Sequence, residues 1–162
     1  MSEIEQISNV LLRYASGIDS RDWNLFRTCF TEDAQLDYGV LGHWNSADAV
    51  TRFMEVSHSG PSQHRLSNFD ITITGNQARA RSYVDAIVLR PGGWGGAQTI
   101  GYYDDELVQT SAGWKIARRR YVSLRMKLLG LLSIVPPGMA LRLAALGTKR
   151  FSTLAAAKAA QR

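Results

Sequence analysis

A carboxylate and an imidazole that meet inside an apolar cavity make a proton-transfer device. The acid fixes the ring's tautomer and stabilises the imidazolium formed when the ring takes a proton. Asp19 and His64 are the candidates for such a dyad in this chain. Asp19 lies in Tyr14-Ala15-Ser16-Gly17-Ile18-Asp19-Ser20-Arg21-Asp22-Trp23, at the expected junction of two short helices, and His64 lies in Ser62-Gln63-His64, where a strand pattern begins. A free imidazole titrates at about 6.5, so near neutrality much of it is already the base that abstraction of a proton from carbon requires. Tyr14 and Tyr38 carry hydroxyls on apolar rings, which suits them to donate to a carbonyl or leaving hydroxyl as charge develops there. Each residue also has a plainer reading: a helix cap for Asp19, a structural ring for His64, core for the two tyrosines. The chemistry is carried by the set.

The elements that must position these residues follow from periodicity. Ser2 with Glu5 forms a capping box, and Ile4, Ile7, Val10, Leu11, Tyr14 and Ile18 continue at helical spacing. Asp19 or Ser20 is expected to cap a second short helix burying Trp23, Phe26 and Phe30, with Thr31-Glu32-Asp33 as a break before a strand from Ala34 to Tyr38. A third helix is expected from Ala47 to Val56, with Val50, Phe53 and Met54 inward. From His64 the period becomes two: Phe69, Ile71 and Ile73, then a turn at Thr74-Gly75-Asn76, then Ala78, Ala80, Ser82, Val84, Ala86 and Val88. Beyond the loop Gly92 to Gly96, a strand runs through Ile100 and Tyr102 to Val108, and a final one from Trp114 to Val122. Helices followed by a meander give an α+β class with an antiparallel sheet.

At 162 residues, 45% hydrophobic and 20% charged, the chain has the size and composition of one globular domain with a tail. Cys29 is the only cysteine, which excludes an internal disulfide and fits a reducing compartment, and Met1-Ser2-Glu3-Ile4-Glu5 does not read as a secretory signal. The expected location is cytoplasmic. The net charge of +5 hides an asymmetry: after Glu106 there are eleven Lys and Arg and no acid, whereas the preceding residues hold eight basic and fourteen acidic side chains, a net −6. Such a tail suits the acidic body of a neighbouring subunit better than nucleic acid, since Arg118-Arg119-Arg120 on a strand cannot form one flat patch and no nucleic-acid-binding motif accompanies it. Peripheral membrane contact by the apolar, basic stretch from Leu124 to Arg150 is a further reading and not the favoured one. Leu128 to Val135 is too short to cross a bilayer. His43 and His58 show no metal-ligand spacing with carboxylates or with Cys29, so no metal is expected.

The run Tyr14-x4-Asp19-Ser20-Arg21-Asp22-Trp23, then Leu36-Asp37-Tyr38, Gln63-His64 and Gly113-Trp114-Lys115-Ile116, resembles the SnoaL-like branch of the nuclear transport factor 2-like superfamily over about residues 1 to 125. In motif it is most similar to scytalone dehydratase and bile-acid 7α-dehydratase. The resemblance implies a cone-shaped α+β barrel in residues 1–125, with three N-terminal helices packed in a curved, mixed, mostly antiparallel sheet; beyond it, the helical pieces expected at Gly138 to Leu146 and Phe151 to Ala160 make residues 126–162 a basic, apolar helical C-terminal extension. The resemblance also implies cofactor-free elimination by Asp19 and His64, with Tyr14 and Tyr38 in the pocket and a dimer or trimer as the assembly. Trp23, Phe53, Val84, Tyr102 and Asp104 are the expected substrate contacts. The pattern also departs from these relatives: the second pocket histidine of scytalone dehydratase falls near Leu89 or Arg90, its Ser and Asn pair near Gly101 and Tyr103, and the arginine of the bile-acid enzyme near Ser123. The expected function is therefore a lyase of dehydratase type on a small hydrophobic hydroxy-carbonyl compound, polyketide-, steroid- or isoprenoid-like. A ketosteroid-type isomerase on the same residues and a non-catalytic ligand-binding or assembly protein are the alternatives.

Overall fold

Helix α1, Glu3–Ser20, starts where the Ser2 hydroxyl accepts from the Glu5 amide and the Glu5 carboxylate accepts from the Ser2 amide, so two otherwise unpaired donors are satisfied at once. Its buried face is Ile7, Val10, Leu11, Tyr14, Ala15 and Ile18. The structure, a computed structural model, describes residues 1–130. Arg21, at φ 61°, ends α1, and α2, Trp23–Thr28, is capped by Asp22, whose carboxylate accepts from the Leu25 amide at 2.9 Å. Asp19 is therefore the penultimate residue of α1 and not the cap of α2. Gly17 is what lets the two helices touch: a Cβ there would lie 2.8 Å from the Phe26 backbone nitrogen.

Six strands follow with one more helix among them: β1 Phe30–Asp37, β2 His43–Trp44, α3 Ala47–Ser57, β3 Ser62–Thr74, β4 Gln77–Leu89, β5 Gly96–Thr110 and β6 Gly113–Leu129. They form one curved, unclosed mixed sheet in the order β2-β1-β6-β5-β4-β3, in which β1 and β6 run parallel and every other pair antiparallel. β1 begins at Phe30, so Thr31-Glu32-Asp33 is strand and not the expected break; Phe30 already pairs with Ile116 of β6. β6 continues past Val122 to Leu129, held by β5 as far as the Gly96–Leu129 pair. Residues 126–129 are thus strand, where a helix was expected; residues 131–162 of the expected extension lie outside the described residues.

Period two puts Ala78, Ala80, Ser82, Val84 and Ala86 of β4 on the buried face beneath the helices. On β5 the buried partners are Gly101, Tyr103, Asp105 and Leu107. Tyr102 and Asp104 consequently face outward, the opposite of their expected role: Asp104 takes a bidentate pair from Arg81 at 2.6 and 2.8 Å, and the Arg81 guanidinium lies 4.3 Å from the centre of the Tyr102 ring. Cross-strand register orders the inner face into rows. His64, Ala86, Thr99 and Met126 form one, Leu66, Val84, Gly101 and Ser123 the next, Ser82, Tyr103 and Tyr121 a third, and Ala80, Asp105, Arg119 and Leu36 a fourth.

Candidate active site

Asp19 and His64 meet. The His64 Nδ1 lies 2.7 Å from Asp19 Oδ1, the His64 amide donates to Asp19 Oδ2 at 2.7 Å, and the Ser62 hydroxyl donates to Oδ1 at 2.9 Å. Arg21, from the end of α1, donates in turn to the Ser62 hydroxyl at 3.0 Å. The last turn of α1 and the first residues of β3 are thereby tied together through one carboxylate. Burial works to raise the Asp19 pKa, but the ring and amide of His64 and the Ser62 hydroxyl outweigh it and hold the carboxyl below its ordinary value. A carboxylate only accepts, so the Nδ1 bond fixes the neutral ring with its proton on Nδ1 and a free lone pair on Nε2. The His64 side chain is only 6% exposed.

A second imidazole stands beside the first. His58, the C-cap of α3, is buried with its ring centre 5.6 Å from that of His64, and its Nδ1 is 2.9 Å from the Ser57 hydroxyl. Burial, followed by the repulsion of His64 and Arg21, pushes its pKa down to about 4. The sign of the consequence is fixed by linkage. Between about pH 6.5 and pH 4 the unfolded chain binds a proton that folded His58 refuses, so stability falls as pH drops through that window, by about 3 kcal/mol in all. Urea denaturation at pH 7 and pH 4.5 checks this: His58→Asn is expected to remove most of the difference attributable to this residue.

Deeper on the inner face lies an aromatic cluster. The Tyr14 hydroxyl is 3.0 Å from that of Tyr38 and donates to that of Tyr103 at 3.4 Å. Tyr121 packs against Tyr38 and Tyr103, with ring centres 6.2 and 5.4 Å away, and its hydroxyl is hydrogen-bonded to Thr99 in the His64 row. Gly101 separates the His64 row from the tyrosine row. A Cβ there would sit 2.1 Å from the Val122 carbonyl oxygen and 3.0 Å from the Tyr121 ring, so glycine alone lets that ring lie along the sheet. Burial raises the pKa of Tyr14, Tyr38 and Tyr103, which keeps all three as neutral donors.

Beneath them Arg119 donates from Nε and Nη2 to the two oxygens of Asp105, each at 2.7 Å, with both side chains wholly buried. Its guanidinium lies 3.9 Å from the centre of the Tyr14 ring and 4.1 Å from that of Tyr103. Burial opposes the charge of Arg119, and Asp105 more than offsets that opposition; burial likewise pushes the Asp105 carboxyl up while Arg119 pulls it back. With two parallel charge-assisted bonds, the pair is read as ionised.

Of the nine site residues expected from sequence, the structure joins Asp19 to His64 and Tyr14 to Tyr38, as two separate contacts. Val84 is buried in the row between them. Trp23 packs on Phe26 at the edge of the core and Phe53 on Trp44, with ring centres 6.1 and 4.3 Å apart. Tyr102 and Asp104 are on the other side of the sheet. That outer side holds concave spaces of about 770 and 970 Å³, lined by charged residues such as Arg79, Glu106 and Arg118. Their walls suit polar contacts, and neither contains Asp19 or His64. His58, Tyr103, Asp105 and Arg119 are the residues that sequence reasoning did not place in the site.

The model of the SnoaL-like domain matches residues 1–120. Over 123 residues the chain is 30% identical to an uncharacterized protein of Mycobacterium tuberculosis, covering 74% of this chain and 84% of that one. Solved structures add similarity of fold. A scytalone dehydratase-like protein from Novosphingobium aromaticivorans superposes with a TM-score of 0.68 at 23% identity, over 77% of this chain and 86% of its own. An NTF2-like protein with a cystatin-like fold from the same organism gives 0.67 at 20%, over 75% and 82%. A hexachlorocyclohexane dehydrochlorinase gives 0.70 at 14%, over 83% and 93%.

Proposed function

Because the chain belongs to the SnoaL-like domain family, we propose that it is a cofactor-independent lyase that eliminates water from a small hydrophobic β-hydroxy ketone, polyketide-, steroid- or isoprenoid-like. The observation that carries this reading is the Asp19–His64 hydrogen bond at 2.7 Å, with the ring almost wholly enclosed. Nε2 of His64 takes the proton from the carbon next to the carbonyl, and Asp19 stabilises the imidazolium. The carbonyl oxygen becomes an enolate oxygen, which the tyrosine hydroxyls are suited to receive. The electron pair then re-forms the carbonyl, the Cα–Cβ double bond closes, and the departing hydroxyl takes the proton from His64 and leaves as water.

On the inner face a small residue lies between the His64 row and the tyrosine row. Thr99, in the His64 row, and Tyr103 are four residues apart on β5, about 13 Å of strand, with the small residue Gly101 between them. The far end of β6 adds Met126 and Leu128, 42% and 81% exposed, on the His64 side. An apolar molecule is the natural cover for that surface. Assembly through the outer face, as a dimer or trimer, belongs to the same reading, with Tyr83 and the stacked Arg81–Tyr102 pair at its centre. So does a cytoplasmic location, in keeping with the single buried thiol of Cys29. Among the described residues no helix is long and apolar enough to cross a membrane.

Incubation with a panel of β-hydroxy ketones and β,γ-unsaturated ketones in heavy water tests the proposal. The expected result is loss of water from a hydroxy ketone with formation of its conjugated enone; deuterium beside the carbonyl of recovered substrate shows in addition that proton abstraction is reversible. Movement of the double bond of a β,γ-unsaturated ketone into conjugation, with no loss of water from any hydroxy ketone, would replace the lyase by an isomerase, and tight binding with neither reaction would make the protein a ligand carrier.

A further inference from the structure

A buried ion pair is an unusual thing to find under a cluster of tyrosines. Removing both charges from water costs several kcal/mol per ion before their attraction offsets it, and apolar replacements of the same volume are often as stable or more so. Asp105 satisfies only one edge of the Arg119 fork. Nη1 is left without a hydrogen-bond partner, although the residue is only 2% exposed, and in the neighbouring row the wholly buried Ser82 hydroxyl also has none. Orphaned buried donors of this kind mark a place for a water or a ligand atom. Three neutral hydroxyls, those of Tyr14, Tyr38 and Tyr103, lie in the same cluster. The guanidinium packs against both the Tyr14 and Tyr103 rings, which stand at 77° to each other, and cannot swing away without breaking both ring contacts and both bonds to Asp105.

We propose that Arg119 is the fixed positive charge of an oxyanion-binding site made with the hydroxyls of Tyr14, Tyr38 and Tyr103, and that this site selects ligands whose oxygen ionises easily, namely enols, phenols and enolisable 1,3-dicarbonyl compounds. Asp105 is the positioning residue: it orients the fork and leaves Nη1 for the ligand side. The hydroxyls supply direct hydrogen bonds, and the cation makes the site prefer O⁻ over OH, where the tyrosines alone would favour the two forms more evenly. The inference rests on the lyase reading for the location of the substrate carbonyl, and it narrows that substrate to compounds with a stabilised enolate.

The probe is 4-nitrophenol, whose ionised form is yellow, titrated from pH 5 to 9 with and without protein. Binding of the anion at least about tenfold tighter than the neutral phenol is expected, which appears as a drop of one unit or more in the pH at which the bound probe turns yellow. Arg119→Met alone leaves Asp105 buried and unpaired, so the informative variant is the double replacement Arg119→Met with Asp105→Leu. It is expected to stay folded by circular dichroism and to lose the anion preference. A wild-type protein that binds both forms equally, or binds neither, overturns the proposal, and so does a folded double variant that keeps the preference. The probe has no acidic C–H bond and does not need the dyad. Ionisation of the probe without turnover of any hydroxy ketone would therefore sink the lyase reading and leave this site standing, whereas turnover without ionisation would do the reverse.

Discussion

His64→Ala is expected to lower the rate of elimination by about 10² to 10⁴-fold, the range that a positioned general base contributes, while circular dichroism and the denaturation midpoint change little. Asp19→Asn is expected to approach the same loss for a different reason. The Asp19 carboxylate now accepts from the His64 amide on one oxygen and from Nδ1 and Ser62 on the other. An asparagine that keeps its oxygen on the amide must turn its NH₂ toward the ring. The ring then presents a lone pair at Nδ1 and carries its proton on Nε2, where the base should be. Single-turnover kinetics on whichever hydroxy ketone loses water fastest would separate the two variants. Full activity in either one would remove the dyad from the mechanism.

Arg119→Met is the second large effect, and it is on stability. Breaking one side of a buried, doubly bonded pair leaves an uncompensated carboxylate, at a cost of about 3 to 5 kcal/mol, and here it also removes a cation held 3.9 and 4.1 Å from two ring centres. Urea denaturation should find the single variant destabilised by that amount and the double variant with Asp105→Leu close to the parent. A single variant with the parent's midpoint would mean that Asp105 is protonated in the folded protein.

Much of this arrangement was legible in residue order. Helical spacing located α1 and α3, strict alternation located β3 and β4, and the inward residues of β4 were read correctly from Ala78 through Ala86. β5 was read in the wrong phase, for a physical reason. Tyr102-Tyr103 and Asp104-Asp105 are doublets, so neither polarity nor size tells which member of each faces inward, and apolar Ile100 and Val108 favour the wrong choice. Pairing with β4 and β6 decides it, and that information is not local. The same holds for Arg118-Arg119-Arg120: alternation says that they divide between two faces, but only the register shift at Glu106 and Leu107 determines that Arg119 is the one buried. His58 shows no metal-ligand spacing with carboxylates or with Cys29, and nothing else in residue order ties it to the site. It reaches His64 through the end of α3, a tertiary contact with no trace in spacing.

Tyr14 and Asp19 ride on the same rod. Both belong to α1, five residues apart, which sets about 7.5 Å between their levels along the axis. The sheet can drift, bulge or exchange side chains without altering that interval, because it is ruled by one helix and not by packing between elements. Any sliding of α1 would carry the acid that holds the base and the phenol that receives the oxygen together, as one unit. Divergence among proteins built this way should therefore be freer in the strands, which choose what is bound, than along this helix, which keeps the gauge between where a proton leaves and where charge arrives.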